Sequence, residues 1–263
     1  MRILVVADIH ANRAALDAID EPFDACLCLG DLVEYGPHPA ECIDWVRTHA
    51  TAVVRGNHDH GAVQDVPVIG TVGFRYLTMV SRRVTVPALS PTDRRFLADL
   101  PTTAMITLGG LRFFLVHASP RDPLEEYVPA DPDEWQARVH GLKADFVLVG
   151  HTHHQFEFRL RHTTVVNPGS VGLPRDGDPR ARYAIIEDGR VELKAVEYDV
   201  ERTITATASS DIDPAAKGQL ADVYRYGKYL FANPPANGNG HANGSANGVY
   251  KNGVYTNGSK VGV

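Results

Sequence analysis

Near its start the chain has three short apolar runs that each break off on a carboxylate or an imidazole: "RILVVAD" with Ile-His after it, "ACLCLGD", and "TAVVRGNHD". Between them lie "NRAALDAI" and "AECIDWVRTH", whose apolar residues recur at helical spacing. Strand, helix, strand, helix, strand in that order is a βαβαβ unit. It commits the chain to an α/β sheet whose strand ends, and therefore whose chemistry, lie along one edge.

The remainder extends this plan. "LSPTDRRFLADLP" predicts a helix with Ser90 as N-cap, Pro91 at the first position, Asp93 in the first turn and Pro101 as a stop. The preceding "VIGTVGFRYLTMVSRRV" fits helix or strand, with helix preferred, and Gly61 to Leu100 together are expected to wall a cleft. From Thr103 the strands return in "AMITLGG", "LRFFLVHAS", "DFVLVGH" and "TTVVNPGS", interrupted by one helix from roughly Pro132 to Leu142. "RYAIIEDGRVELKAVEY" is a hairpin signature around Asp188 and Gly189. The expected fold is α/β, two facing mixed sheets with helices on the outside, over residues 1–232. Beyond Asn233 the composition turns to Asn and Gly. The near-repeat "NGVYKNGVYT" leaves two residues between turns, so residues 233–263 read as a disordered tail.

Composition excludes several classes. A formal net charge of −6 gives no broad basic surface for a long nucleic acid. The three cysteines, Cys26, Cys28 and Cys42, are odd in number and lack C-x-x-C spacing, which fits reduced thiols in a cytoplasmic protein. No apolar stretch reaches the roughly 18 residues of a membrane span. "MRILVVADIH" reads as a first strand rather than a signal peptide. Oligomeric state has no signal in the sequence.

The residues that end the strands are of one chemical kind: Asp8 and His10 in "DIH", Asp31 in "GD", Asn57 and His58 in "GNHD", His117 in "LVHASP", His151 and His153 in "GHTH". Each alone has an ordinary reading as a turn residue or a satisfied core histidine. Together, at the C-terminal ends of successive strands, they converge on one edge. Oxygen and imidazole donors without thiolate suit Mn²⁺, Fe or Zn²⁺.

D-x-H, G-D, G-N-H-D, H and G-H-x-H, in that order, resemble the calcineurin-like metallophosphoesterases of bacterial and archaeal type, from about Arg2 to Tyr198. The resemblance implies a β-sandwich with helices on both sides, in four αββα layers. It also implies two divalent ions, foremost Mn²⁺, with Fe, Zn²⁺ or Ni²⁺ as alternatives. By it Asp8, His10 and His153 hold the first, Asp31 bridges, and Asn57, His117 and His151 hold the second, leaving His154 outside. His151 and His153, two apart in an extended segment, are expected to point the same way.

His58 is by the same resemblance not a ligand but the group that contacts phosphate and protonates the leaving oxygen, and Asp59 is placed to orient its ring. The expected reaction is hydrolysis of a small phosphodiester or phosphomonoester by a metal-bridging hydroxide, with His58 as general acid. Arg55, Asn167 and Arg175 are the candidates for substrate contact. "GDLVEYGPHP" departs from members with a second Asp or Asn soon after G-D. The alternatives are a serine/threonine protein phosphatase, or a non-catalytic scaffold of the same fold such as the retromer subunit.

Overall fold

The structure is a computed structural model, which describes residues 1–230, 249–251 and 254–256. Residues 1–232 and 233–263 are separate compact units.

In the large unit, β1 (Arg2–Val6), β2 (Ala25–Cys28) and β3 (Ala52–Val53) run parallel, joined by α1 (Arg13–Asp17) and α2 (Pro39–His49). The sheet is completed on the other side of β1 by an antiparallel hairpin. Numbered in chain order, that hairpin is β9 (Ala181–Glu187) and β10 (Arg190–Val196), turning at Asp188 and Gly189. The order is β10-β9-β1-β2-β3. The second five-stranded sheet is β4-β5-β6-β8-β7. Its members are β4 (Thr103–Leu108), β5 (Leu111–Val116), β6 (Phe146–Leu148), β7 (Gln155–Arg159) and β8 (Thr164–Pro168).

The period of two along β1 and β2 explains the layers. Ile3, Val5, Ala25 and Leu27 face Phe113, Leu115, Phe146, Leu148 and Val166 of the other sheet. The alternate residues Leu4, Val6, Cys26 and Cys28 face Leu16, Ile43, Val46 and Leu97 of the outer helices. Both faces are therefore apolar, which is why β1 reads as a continuous run. On the far side, Val116, Val147 and Val165 meet Trp135 of α6 (Pro132–Arg138). The arrangement is the expected pair of mixed sheets between helical layers.

α5 (Pro91–Asp99) starts as expected, with Ser90 accepting the Asp93 N–H while Asp93 reaches back to Ser90. α4 (Gly73–Ala88) is the helix expected before it. Other boundaries differ. "TAVVRGNHD" is a strand only over Ala52–Val53, and Asn57 opens the helix α3 (Asn57–Val63). α6 stops at Arg138 rather than Leu142, and α1 covers only Arg13–Asp17, with Asn12 as its N-cap accepting the Ala15 N–H.

Besides α3, two helices were not anticipated. α7 (Val200–Ala208) is "VERTITATA", a β-branched segment with poor intrinsic helix preference, stabilised by tertiary bonds such as Thr203 Oγ1 to Asn12 Oδ1 at 2.7 Å. α8 (Pro214–Tyr226) has readable ends, with Asp213 as N-cap, Pro214 first, and Gly227 in the left-handed region at φ +61°. α8 packs on α4 around Leu77, Val80, Leu220, Val223 and Tyr224, with Tyr35 and Leu173 in the same cluster.

In the small unit, β11 (Val249–Lys251) pairs antiparallel with β12 (Val254–Thr256). The pairing departs from the disordered reading for these six residues. The rest of the expected tail lies outside the described residues. Among the described residues, no helix is long and apolar enough to cross a membrane.

Candidate metal centre

The strand-end residues are turned inward by backbone that ordinary residues avoid. Asp8, His10, Asp31, His151 and His153 all have positive φ, from +46° to +65°. For a side-chain-bearing residue the left-handed region costs roughly 1–2 kcal/mol, so five in one site need compensation. They have it in backbone bonds that tie the loops together, including Asp8 N–H to Gly30 O at 3.0 Å, His10 N–H to Asp31 O at 2.9 Å and Gly150 N–H to His117 O at 2.8 Å. The expectation that His151 and His153 lie in an extended segment is thus corrected: they sit in a turn after β6, and their rings go to different neighbours.

One group is Asp8, His10, Asp31 and His153, all buried, whose ligand atoms lie within 4.8 Å of one another. The other is Asn57, His117 and His151. Asn57 Oδ1 is 3.0 Å from His117 Nε2 and 3.1 Å from His151 Nδ1. Asp31 stands between the two, its Oδ2 being 3.3 Å from His117 Nε2 and 3.7 Å from His10 Nε2. Its Oδ1 accepts the His58 backbone N–H at 2.9 Å. A Cβ on Gly56 would collide with that carboxylate, which accounts for the glycine of G-N-H-D.

The donor chemistry tests whether cations fit. His10 Nδ1 faces the Val33 carbonyl at 3.1 Å and His153 Nδ1 faces the Leu173 carbonyl. Those nitrogens must carry the proton, so both Nε2 atoms present lone pairs, yet they face each other at 3.2 Å. His117 repeats the pattern. Its Nδ1 donates to Leu29 O at 2.8 Å, and its Nε2 faces oxygens of Asn57 and Asp31, to which it gives an N–H while the ring is protonated and offers a lone pair once that proton is lost. Asp8 Oδ2 and His151 Nε2 are buried without a protein partner. Acceptors crowded against acceptors, with orphaned atoms among them, are what divalent ions resolve.

Electrostatics agree. Burial holds His10, His151 and His153 well below the ordinary histidine range, so they are neutral donors. Burial, reinforced by the Asp31 charge, pushes the Asp8 carboxyl up to about 7. Burial opposes charge on His117, but the Asp31 carboxylate outweighs it and raises that imidazole to about 9. A cation must displace both protons to bind. Metal uptake is therefore expected to release protons and to tighten as pH rises from about 6 to 9. Calorimetric titration with Mn²⁺ in buffers of different ionisation enthalpy checks this; affinity independent of pH would contradict it.

His58 lies beside both groups, buried, with Nε2 3.9 Å from Asp31 Oδ2. Burial works against charge on its ring, but Asp31 and Glu34 prevail, and the imidazole is raised above its ordinary value. Its orienting carboxylate is Glu34, whose Oε2 meets His58 Nδ1 at 2.5 Å. The assignment of that task to Asp59 is corrected. Asp59 accepts the backbone N–H groups of Asp31 and Leu32, each at 2.8 Å, and of Gly56 at 3.0 Å, so it shapes the loops rather than the ring. Sequence reading missed Glu34, although the signal was present as a carboxylate three positions after the Asp of G-D.

Of the three substrate candidates, only Arg175 lines the cleft. It donates to Tyr127 Oη at 2.8 Å, stacks over Phe74 at 4.0 Å, and leaves Nε without a partner. Asn167 is fully buried behind the site. Its amide donates to Gly150 O at 2.7 Å and Thr152 Oγ1 at 3.2 Å, propping the turn that carries His151. Arg55 turns away to the end of α5, donating to Ala98 O at 3.1 Å, because its backbone is fastened to Pro101. His154 stays outside both groups, its Nδ1 against Thr152 O at 2.7 Å. The cleft above the centre has a volume of about 390 Å³, and Gly61, Val66, Pro67, Val68, Phe74, Arg75, Thr78 and Arg82 form one side. That side is the segment expected to be its wall.

Two mixed sheets with a buried Asp/His cluster at their strand ends define a metallophosphoesterase-type fold. Residues 1–188 match the calcineurin-like phosphoesterase superfamily domain, and the chain belongs to that family, whose members bind divalent metals. The chain is similar to a metallophosphoesterase from Sphaerobacter thermophilus of known crystal structure, at 30% identity and TM-score 0.72, covering 85% of this chain and 99% of that one. It is also similar to an archaeal protein of unassigned function from Methanocaldococcus jannaschii, 30% identical over 226 residues, 76% of this chain and 89% of that one. A crystal structure of a Pyrococcus horikoshii protein shares the fold at 22% identity and TM-score 0.74, over 83% of this chain and 97% of that one.

Proposed function

We propose that the chain is a metal-dependent hydrolase of a small phosphodiester or phosphomonoester, with His58 as the proton donor. The observation that carries this is the pairing of His58 with Glu34 at the floor of the cleft. His58 Nδ1 is fixed by Glu34 at 2.5 Å, so Nε2 is the free end, and the ring lines the cleft beside the Asp/His cluster. Asp8, His10 and His153 would hold one ion, Asn57, His117 and His151 the other, with Asp31 shared. When bound, two divalent ions supply Lewis acidity that makes water nucleophilic near neutral pH and offsets phosphate charge.

The chain's own residues do the rest. Arg175, with an unpartnered Nε and its guanidinium over Phe74, is placed to meet phosphate oxygens in the cleft. His58 gives its proton to the departing oxygen, and Glu34 steadies the ring as that proton leaves. A cleft of about 390 Å³ bounded by α4 favours a nucleotide-sized ester over a folded phosphoprotein. Mn²⁺ is the metal we favour for an oxygen and imidazole donor set. Cys26, Cys28 and Cys42 are free and buried, which supports a reducing, cytoplasmic setting.

The test is a panel with Mn²⁺: bis-p-nitrophenyl phosphate, p-nitrophenyl phosphate, 2′,3′- and 3′,5′-cyclic nucleotides, a dinucleoside tetraphosphate and a phosphopeptide. Turnover of a small ester, at least tenfold above the phosphopeptide, is expected; that ratio is about 1.4 kcal/mol of transition-state discrimination. Full metal occupancy without turnover of any ester would leave a binding scaffold as the better reading.

A further inference from the structure

Arg82 is a buried cation, 9% exposed, in the middle of the helix that walls the cleft. Its guanidinium works in two directions. Nε is paired with Oε1 of Glu34, and Nη1 donates to the Val66 carbonyl at 2.5 Å, in the loop between α3 and α4. The remaining oxygen of Glu34 is the one that meets His58 Nδ1. Glu34 itself is fully buried, in left-handed backbone at φ +71°.

A buried carboxylate is tolerated only when both oxygens are satisfied, and a buried guanidinium only when it is paired. Here the two conditions are met by the same contact. With Arg82 on Oε1, the carboxylate plane is fixed and Oε2 has one direction left, toward the imidazole. Gly61 gives a second, independent sign that the arrangement is built. It lies three residues after His58 on α3, and a Cβ there would run into Arg82 Nη2. The space beside the general acid is kept clear for this guanidinium.

We infer that Arg82 is a positioning residue for His58: it fixes Glu34, Glu34 fixes the imidazole, and the Val66 contact ties the same unit to the wall of the cleft. The inference rests on the reading of His58 as proton donor. A lysine replaces the fork only in part, because a single ammonium would have to choose between Glu34 and Val66.

The experiment compares two esters of the same phosphoryl group, one with p-nitrophenol and one with a simple alcohol as leaving group. An alcohol needs protonation to depart far more than a nitrophenol does. In the full-length Mn²⁺ enzyme, Arg82→Met is expected to lower kcat on the alkyl ester at least tenfold more than on the aryl ester. KM should change less than threefold, with the wild-type metal content. Gly61→Ala should show the same pattern, Arg82→Lys a partial recovery, and Arg82→Met on top of His58→Ala no further loss. Equal losses on both esters, or a full additional loss in the His58→Ala background, would overturn the role of Arg82. Should Arg82→Met fail to fold, Gly61→Ala decides by the same ratio. If His58→Ala itself shows no leaving-group dependence, the proton-donor reading fails, and the Arg82 arms identify that case separately.

Discussion

Replacing His58 with alanine is expected to lower kcat by about 10²–10⁴-fold on an ester with a poor leaving group, the usual worth of a positioned general acid. Metal content should stay at the wild-type value, because the substitution removes a side chain that faces the cleft and none of the seven clustered donors. The backbone N–H of residue 58 that holds Asp31 Oδ1 is retained by alanine. Steady-state rates with metal analysis on the same sample check this. A variant that turns over at the wild-type rate would remove His58 from the reaction, and one that loses metal would place it in the structural frame instead.

The second large effect is on stability. Asp59 is fully buried and its carboxylate satisfies three backbone N–H groups, those of Asp31, Leu32 and Gly56. Alanine would leave all three in a dry interior, each costing about 1–3 kcal/mol when unpaired. A loss of at least about 3 kcal/mol is expected, or about 6–12 °C in Tm for a domain of this size. Asp59→Asn should fall between the two, since an amide presents only one acceptor oxygen. Thermal melts of the metal-free protein isolate the effect from ligand binding. Wild-type stability for Asp59→Ala would restore the simpler view that Asp59 serves His58.

These two neighbours show where sequence reading succeeds and where it stops. The cluster of Asp8, His10, Asp31, Asn57, His117, His151 and His153 was visible because each residue closes an apolar run, and strand ends of an α/β sheet share an edge. The pairing of carboxylates with their targets was not. Asp59 adjoins His58 in sequence, but at the start of α3 its side chain folds back onto the N–H groups of the preceding loops, while Glu34 arrives from 24 residues away. Arg55 misled for a similar reason, since proximity to G-N-H-D says nothing of which way a loop side chain turns. The left-handed conformations at the donors were equally hidden, because non-glycine residues there carry no local signature. α7 escaped notice because its β-branched composition argues against the helix that packing imposes.

The buttressing of α4 by α8 joins residues on both sides of the end of the family match. The family match ends at residue 188, whereas α8 begins at Pro214. Tyr76 on α4 donates to Asp213 at 2.8 Å, and the Gly73 N–H is capped by Tyr229 Oη at 3.1 Å. The clustered donors thus all fall within the matched residues, while the helix that walls the cleft is propped by residues beyond them. Removing α8 would strip Leu77 and Val80 of α4 of their apolar partners while leaving all seven donors in the chain, so the wall of the cleft is expected to loosen before the donor cluster does.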